Sequence, residues 1–422
     1  MIRFLLLIPL VGLVAACDFL VTETRTVSVS KTSNAGETTR YDLVEESGSR
    51  TVNIIKLQGE GGQEVIEASY RFDDLQSACD QGDSESCFDL GIGFLHATDI
   101  TRSYLENMEK FGNTCDQAKD EDRESCIDKR SSHEQASRDD LTAALASLEK
   151  ACGGDHAKAC YELGFAYDRG SYFEQDHTKA AAFYEKACDA GNPVACNNGG
   201  FLYEKGLGVP QDLIKAAALY ELSCDGGDQL GCANLAIAYR DGLGVEQDLE
   251  KAVMHFKQNC DGGYSDSCFD LGLAYRDGVV VEQNLETAAS LYERGCDGGS
   301  SYGCLHLGAA YSEGAGVGKD VERAVALFKQ SCDGGHLHGC ANVGTAYLNG
   351  IGVEQDVERA VPLFEQACDA GVASGCNGLG VVFDNGTVVD QDLVQAAAYF
   401  EKACDAGYTP GCDNLEFIQT RQ

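Results

Sequence analysis

From residue 141 to the C-terminus, small and apolar residues return with a fixed period of 36. In the unit spanning residues 192–227, Cys196, Gly200 and Tyr203 follow one another at intervals of four and three. That spacing lines one face of a helix and predicts a first helix of about twelve residues. Gly206 and Gly208 end it, because glycine accepts the left-handed backbone of a helix C-terminus. Asp212 stands where a carboxylate caps the free N–H groups of a second helix, which would bury Ala216, Ala217, Leu219, Tyr220 and Cys224. Gly226 and Gly227 close the unit, and Gly164, Gly200, Gly272 and Gly308 would let neighbouring helices approach closely. Cys152, Cys188, Cys224, Cys260, Cys296, Cys332, Cys368 and Cys404 keep the same beat. Each is followed eight residues later by a second cysteine, at Cys160, Cys196, Cys232, Cys268, Cys304, Cys340, Cys376 and Cys412. A constant period predicts stacked two-helix units with one continuous core, an all-α solenoid of disulfide-clamped repeats over residues 141–408.

The pattern loosens outside this array. Residues 409–422 carry Cys412, Leu415 and Phe417 or Ile418 on one side and predict a single capping helix. Between residues 72 and 140, Cys79 and Cys87 keep the spacing, but Cys126 follows Cys115 by eleven residues and residues 116–139 are strongly charged. Terminal units of solenoids commonly diverge in this way, so the segment is expected to hold divergent N-terminal helical repeats. Residues 17–71 lack the repeat; period-two stretches at 26–30 and 51–57 predict a few strands, a short partly β segment, with a disordered tether as the alternative.

Charge narrows the partners. The net charge of −36 comes from 68 acidic against 32 basic residues, without a basic block. Phosphate backbones are held by clustered Lys and Arg, so nucleic acid is excluded as a partner, and so is a bare anionic membrane surface. A cationic partner fits the charge. The 21 cysteines form an odd set because Cys17 stands apart, at the end of a short apolar run typical of a secretory signal over residues 1–16. Val14-Ala15-Ala16-Cys17 resembles the bacterial lipobox, which implies lipidation of Cys17 and attachment to a membrane by that lipid only. The other 20 cysteines then fall into local pairs, including Cys79 with Cys87 and Cys115 with Cys126, as expected for disulfides in an exported protein. Structural zinc prefers C-x(2–4)-C pairs, and Asp241, Glu246 and Asp248 do not follow a calcium loop, so neither metal nor cofactor is expected.

The succession Cys-x-x-Leu-Gly-x-x-Tyr-x-x-Gly-x-Gly-Val-x-x-Asp-x-x-x-Ala is similar to the Sel-one-like repeat, a relative of the tetratricopeptide repeat. With its C-x7-C pairs the chain resembles the Hcp family of secreted, cysteine-rich bacterial proteins. The resemblance implies a right-handed α/α superhelix that acts as a monomer in the envelope of a Gram-negative bacterium, facing the periplasm or the exterior. It also implies a scaffold that binds a protein or peptide along a concave groove. Tetratricopeptide arrays would place Tyr161, Phe165, Arg169, Asn197, Phe201, Lys205, Arg240, Phe269, Arg276 and Leu305 in that groove, with Leu348 further along. Two other readings come with the family: slow hydrolysis or binding of β-lactams, and recognition of peptidoglycan fragments. For the hydrolase, Ser147–Lys150 and Ser28–Lys31 match S-x-x-K, but S-D-N and K-T-G are absent and no catalytic residue is assigned.

Overall fold

The computed structural model describes residues 24–32, 38–46, 49–58, 63–110 and 120–421. The chain divides into two compact units at Gly226 and Gly227. The first opens with β1 (Thr24–Thr32), β2 (Thr38–Glu46), β3 (Ser49–Gln58) and β4 (Gln63–Arg71), an antiparallel sheet in the order of the chain. Its register pairs Val27 with Leu43 and Leu43 with Val52, and it slips between Ile54 and Ile55.

Three helices follow: α1 (Phe72–Asp80), α2 (Ser84–Lys110) and α3 (Asp120–Gly153). Here the helices are longer than in the regular units, though a Cβ on Gly91 of α2 would lie 2.7 Å from Leu148 of α3, as those of later glycines do from their rings. α3 is a single helix of 34 residues, and the expected boundary between 140 and 141 falls inside it. The reason lies in composition: no Gly or Pro occurs from 120 to 152, so nothing terminates the helix where a repeat would turn. Cys17, Cys115 and the Cys126 side chain lie outside the described residues.

Regular pairs of 13-residue helices begin with α4 (Ala157–Arg169) and α5 (His177–Asp189), then α6 (Pro193–Lys205) and α7 (Leu213–Asp225). The second unit continues with α8 (Gln229–Asp241), α9 (Leu249–Asp261), α10 (Ser265–Asp277), α11 (Leu285–Asp297), α12 (Ser301–Glu313) and α13 (Val321–Asp333). It ends with α14 (Leu337–Asn349), α15 (Val357–Asp369), α16 (Ala373–Asn385), α17 (Leu393–Asp405) and the lone α18 (Thr409–Gln419). Asp212 caps α7 by accepting from the Lys215 N–H at 2.9 Å, and Asp248 and Asp320 do the same for α9 and α13.

One contact explains why every regular first helix except α8, which has Ala236, carries a glycine four residues past its cysteine. A Cβ on Gly200 would lie 2.7 Å from the Tyr220 ring, and one on Gly272 would lie 2.6 Å from the Tyr292 ring. The second helix thus lays an aromatic ring flat on the backbone of the first. The ring is Tyr184, Tyr220 and Tyr292 in three repeats and Phe256, Phe328, Phe364 and Phe400 in the others; all are buried. On the far side, the tyrosine seven residues past the cysteine takes a cation from the second helix, as with Lys215 over Tyr203 at 4.1 Å and Arg323 over Tyr311 at 4.4 Å.

Disulfides then join each second helix to the next first helix. Cys188–Cys196, Cys260–Cys268, Cys296–Cys304, Cys332–Cys340, Cys368–Cys376 and Cys404–Cys412 all have Cα atoms 4.5–4.7 Å apart. Cys79–Cys87 ties α1 to α2, and Cys152–Cys160 ties α3 to α4. Cys224 and Cys232 are likewise oxidised. Closing each loop contributes about 2.5 kcal/mol by restricting the unfolded chain. Such bridges point to an oxidising, extracytoplasmic compartment. Among the described residues, no helix is long and apolar enough to cross a membrane.

Candidate binding face

Positions counted from the second cysteine of each repeat divide into a frame and a face. From the repeat of Cys160 to that of Cys376, positions three, four and six are buried throughout and hold Leu, Val, Gly or Ala with few exceptions. Position seven is Tyr in every one of these repeats except for Phe383. Positions two and eight reach the surface almost everywhere and hold quite different side chains. Position two runs Glu162, Asn198, Asn234, Asp270, His306, Asn342, Gly378; position eight runs Asp168, Glu204, Arg240, Arg276, Ser312, Leu348, Asp384. Packing demands one residue type in the frame and leaves the face free to vary.

In the first unit, Tyr161 and Phe165 are half-buried and stack at 6.1 Å, with the exposed Arg169 guanidinium over Phe165 at 5.5 Å. Phe201 is 45% exposed, and Lys205 stands over it while pairing with Glu204. Asn197 corrects the expected groove, because it is only 4% exposed. Small side chains at position one sink between helices, as Ala233 and Ala341 also do, whereas Tyr161 is too large to follow them. Beneath this surface, the Tyr220 hydroxyl donates to Glu204 at 2.7 Å. The Tyr184 hydroxyl donates to Asp168 at 3.4 Å, and His177 meets the other Asp168 oxygen at 3.0 Å. Burial, with the neighbouring carboxylate, pushes both phenols well above their ordinary range.

In the second unit, Arg240 is half-buried, grips Asp241 with two hydrogen bonds of 2.8 Å and reaches Asp270 at 3.3 Å. Arg276 grips Asp277 in the same way at 2.7 and 2.8 Å. Leu305 is half-buried beside the core that contains Phe328, whereas Leu348 is buried and presents little to a partner. Phe269 belongs to a chain of rings that the groove assignment missed. It lies 5.5 Å from Tyr302, 5.0 Å from His306 and 6.1 Å from Tyr292. Tyr302 in turn meets His336 at 4.5 Å, and His336 meets His338 at 5.3 Å. Burial lowers His306 to about 4, so it is neutral at pH 7, and burial raises Asp270 to about 6 against the pull of Arg240. The eight histidines follow no motif along the chain, yet three of them meet here. Only His306 stands at position two; His336 and His338 come from the start of the next first helix, and no shared spacing links the three.

The S-x-x-K match at Ser147–Lys150 finds no support in the side chains. Ser147 is buried and donates to its own helix at the Ala143 carbonyl at 2.8 Å, while Lys150 is exposed and pairs with Asp80 at 3.2 Å. They do not form a nucleophile and its base. Among the described residues, no three metal-ligating side chains come together. Asp241 is held by Arg240, and Asp248 is the cap of α9.

The Sel1 repeat pattern matches seven consecutive units, at residues 157–192, 193–228, 229–264, 265–300, 301–336, 337–372 and 373–408. That is more than half of the chain. The protein belongs to the Sel1 repeat family. Among solved structures, this Sel1 repeat protein is similar to c5321, a protective antigen present in uropathogenic Escherichia coli strains that displays an SLR fold. Identity there is 25% and the TM-score 0.60, over 83% of this chain and 68% of that one. It is also similar to a Sel1 repeat protein from Oxalobacter formigenes, with 27% identity and a TM-score of 0.53 over 58% of this chain and 99% of that one. Helicobacter pylori cysteine rich protein B shares 28% identity over 31% of this chain and 95% of its own, with a TM-score of 0.27. No curated protein matches the sequence.

Proposed function

We propose that this Sel1 repeat protein is an envelope scaffold that binds a protein or an extended peptide on the exposed faces of its first helices. The observation that carries this reading is the run of unlike groups that the first helices present, with Phe201 beside Lys205 in one repeat and Phe269 beside Tyr302 further along. Seven repeats keep Leu, Gly, Ala and Tyr where helices pack and change side chain where they meet solvent. Packing alone accounts for the constant frame, so the reading rests on what the face holds. The face offers aromatic, cationic and anionic groups in succession, which suits a chain with several side chains better than a small molecule. The net charge of −36 steers basic partners toward it. Lipidation at Cys17 would hold the scaffold at a membrane by its N-terminus.

The test is capture of a partner by the full, oxidised protein from solubilised envelope, followed by crosslinking and mass spectrometry. Crosslinks are expected on first-helix positions such as Phe201, Lys205 and Arg276. Crosslinks confined to second helices would refute the reading. Partner capture that is unchanged by Phe201→Ala together with Arg276→Ala would refute it as well.

A further inference from the structure

The described residues contain two buried side-chain polar atoms without a hydrogen-bond partner, the Tyr292 hydroxyl and His336 Nδ1. Both belong to the ring cluster of the second unit, which Tyr292 joins through His306 at 5.5 Å. Native proteins leave few such atoms unpaired, so two in one place require a reason.

Comparison among the repeats supplies it. Where the flat ring is tyrosine, its hydroxyl proton needs an acceptor. Tyr184 and Tyr220 find one in the carboxylate at position eight, Asp168 and Glu204. Tyr292 is the third such tyrosine, and its repeat has Arg276 at position eight. The acceptor is missing, and a guanidinium faces the hydroxyl instead. Where the ring is phenylalanine the question does not arise. The protein thus places a donor and a cation where two sister repeats hold their own carboxylate.

Resting on the reading of the first-helix face as a peptide-binding surface, we infer that this cluster is a seat for a carboxylate of the bound peptide. One carboxylate oxygen accepts from the Tyr292 hydroxyl beside Arg276, and the adjoining apolar side chain lies against the Phe269 and Tyr302 rings. Phe269 is half-buried and Tyr302 is 49% exposed, so apolar ring surface is available. The Tyr292 hydroxyl is covered, and access requires Arg276 to turn from Asp277. That pair is 41% and 47% exposed, hence weakly held, and a ligand carboxylate can replace Asp277 at little cost. The field of the whole chain acts on the net charge of a partner from afar and is screened within about 8 Å at physiological salt, whereas the seat acts on one group in contact.

The experiment uses the full, oxidised protein and two random heptapeptide libraries, one with free C-terminal carboxylates and one capped as carboxamides. Captured peptides are identified, and their affinities are measured by fluorescence anisotropy. The free acid is expected to bind at least about tenfold more tightly than its own amide, as charge-assisted bonds from Tyr and Arg imply. Tyr292→Phe should abolish that difference and Tyr220→Phe should keep it. Phe stands at the same place in four sister repeats, so the fold accepts the change. Captured amides that depend on Tyr292 through an internal Asp or Glu would assign the same seat to a side-chain carboxylate. Equal binding of acid and amide that is also indifferent to Tyr292→Phe, or a difference that survives Tyr292→Phe, overturns the seat and leaves the peptide-binding face standing. Capture from neither library overturns both.

Discussion

Replacing Tyr220 with phenylalanine isolates one interaction, because the ring stays and only the hydroxyl goes. Tyr220 is 2% exposed, and its hydroxyl donates to Glu204 at 2.7 Å. Hydrogen bonds to charged groups are worth about 1.5–3 kcal/mol net. Glu204 keeps Lys205 as a partner and retains 24% side-chain exposure, so water repairs part of the loss. Tyr220→Phe should therefore cost about 1–2 kcal/mol. The same change at Tyr292 removes a buried hydroxyl whose proton has no acceptor and which the Arg276 guanidinium faces, so it should cost little or nothing. Tyr184→Phe should fall between them, its bond to Asp168 being long at 3.4 Å. Repeat arrays open locally, so native-state hydrogen exchange reads these effects better than one melting temperature. Amides of α6 and α7 should lose protection about 5- to 30-fold in Tyr220→Phe, while those of α10 and α11 should keep theirs in Tyr292→Phe. Equal losses in the two variants would refute the reasoning: Tyr292 would then have a partner in solution, and the argument for a carboxylate seat would fall with it.

Val280 occupies a place where four other repeats have glycine at positive φ, and it adopts φ 66° itself. That backbone costs a β-branched residue about 1–3 kcal/mol, and Val280 is 51% exposed, so little packing opposes its removal. Val280→Gly should raise exchange protection in α10 and α11 about fivefold; a decrease would show that the valine is not strained. The two shifted groups of the ring region have opposite pH signatures. His306 falls from 6.5 to about 4 on folding, so its contribution is full above pH 6.5 and is lost as pH falls toward 4. Asp270 rises from 3.8 to about 6, so its contribution is present below 3.8 and is lost as pH rises through 6. Asparagine is native at this position in three other repeats, which makes His306→Asn and Asp270→Asn mild changes. In urea titrations at acid and neutral pH, His306→Asn should lessen the loss of stability on acidification, and Asp270→Asn should add stability above pH 6. Parallel shifts at every pH would contradict both assignments.

The repeat period was legible because packing writes it into the chain. A glycine under a ring, an aspartate before a helix and a cysteine at each junction are local demands met once per unit, and each leaves one residue type at one spacing. Long α3 was not legible as a single element, because helical periodicity in a charged stretch says little about where a helix stops; the absence of Gly and Pro was the better guide. Two residues that spacing assigns to the groove are buried, Asn197 at 4% and Leu348 at 9% exposure. Spacing assigns a position to a face, but side-chain size and neighbours decide what reaches water there. The sequence by itself determined the frame of this protein, since hydrophobic burial, capping and disulfide closure act over a few residues and repeat. Only the tertiary structure decided the ring cluster, the buried Tyr292 hydroxyl and the cation beside it. Those depend on side chains from α10, α11, α12 and α14 whose meeting is set by helix stacking and leaves no trace in any one stretch of chain.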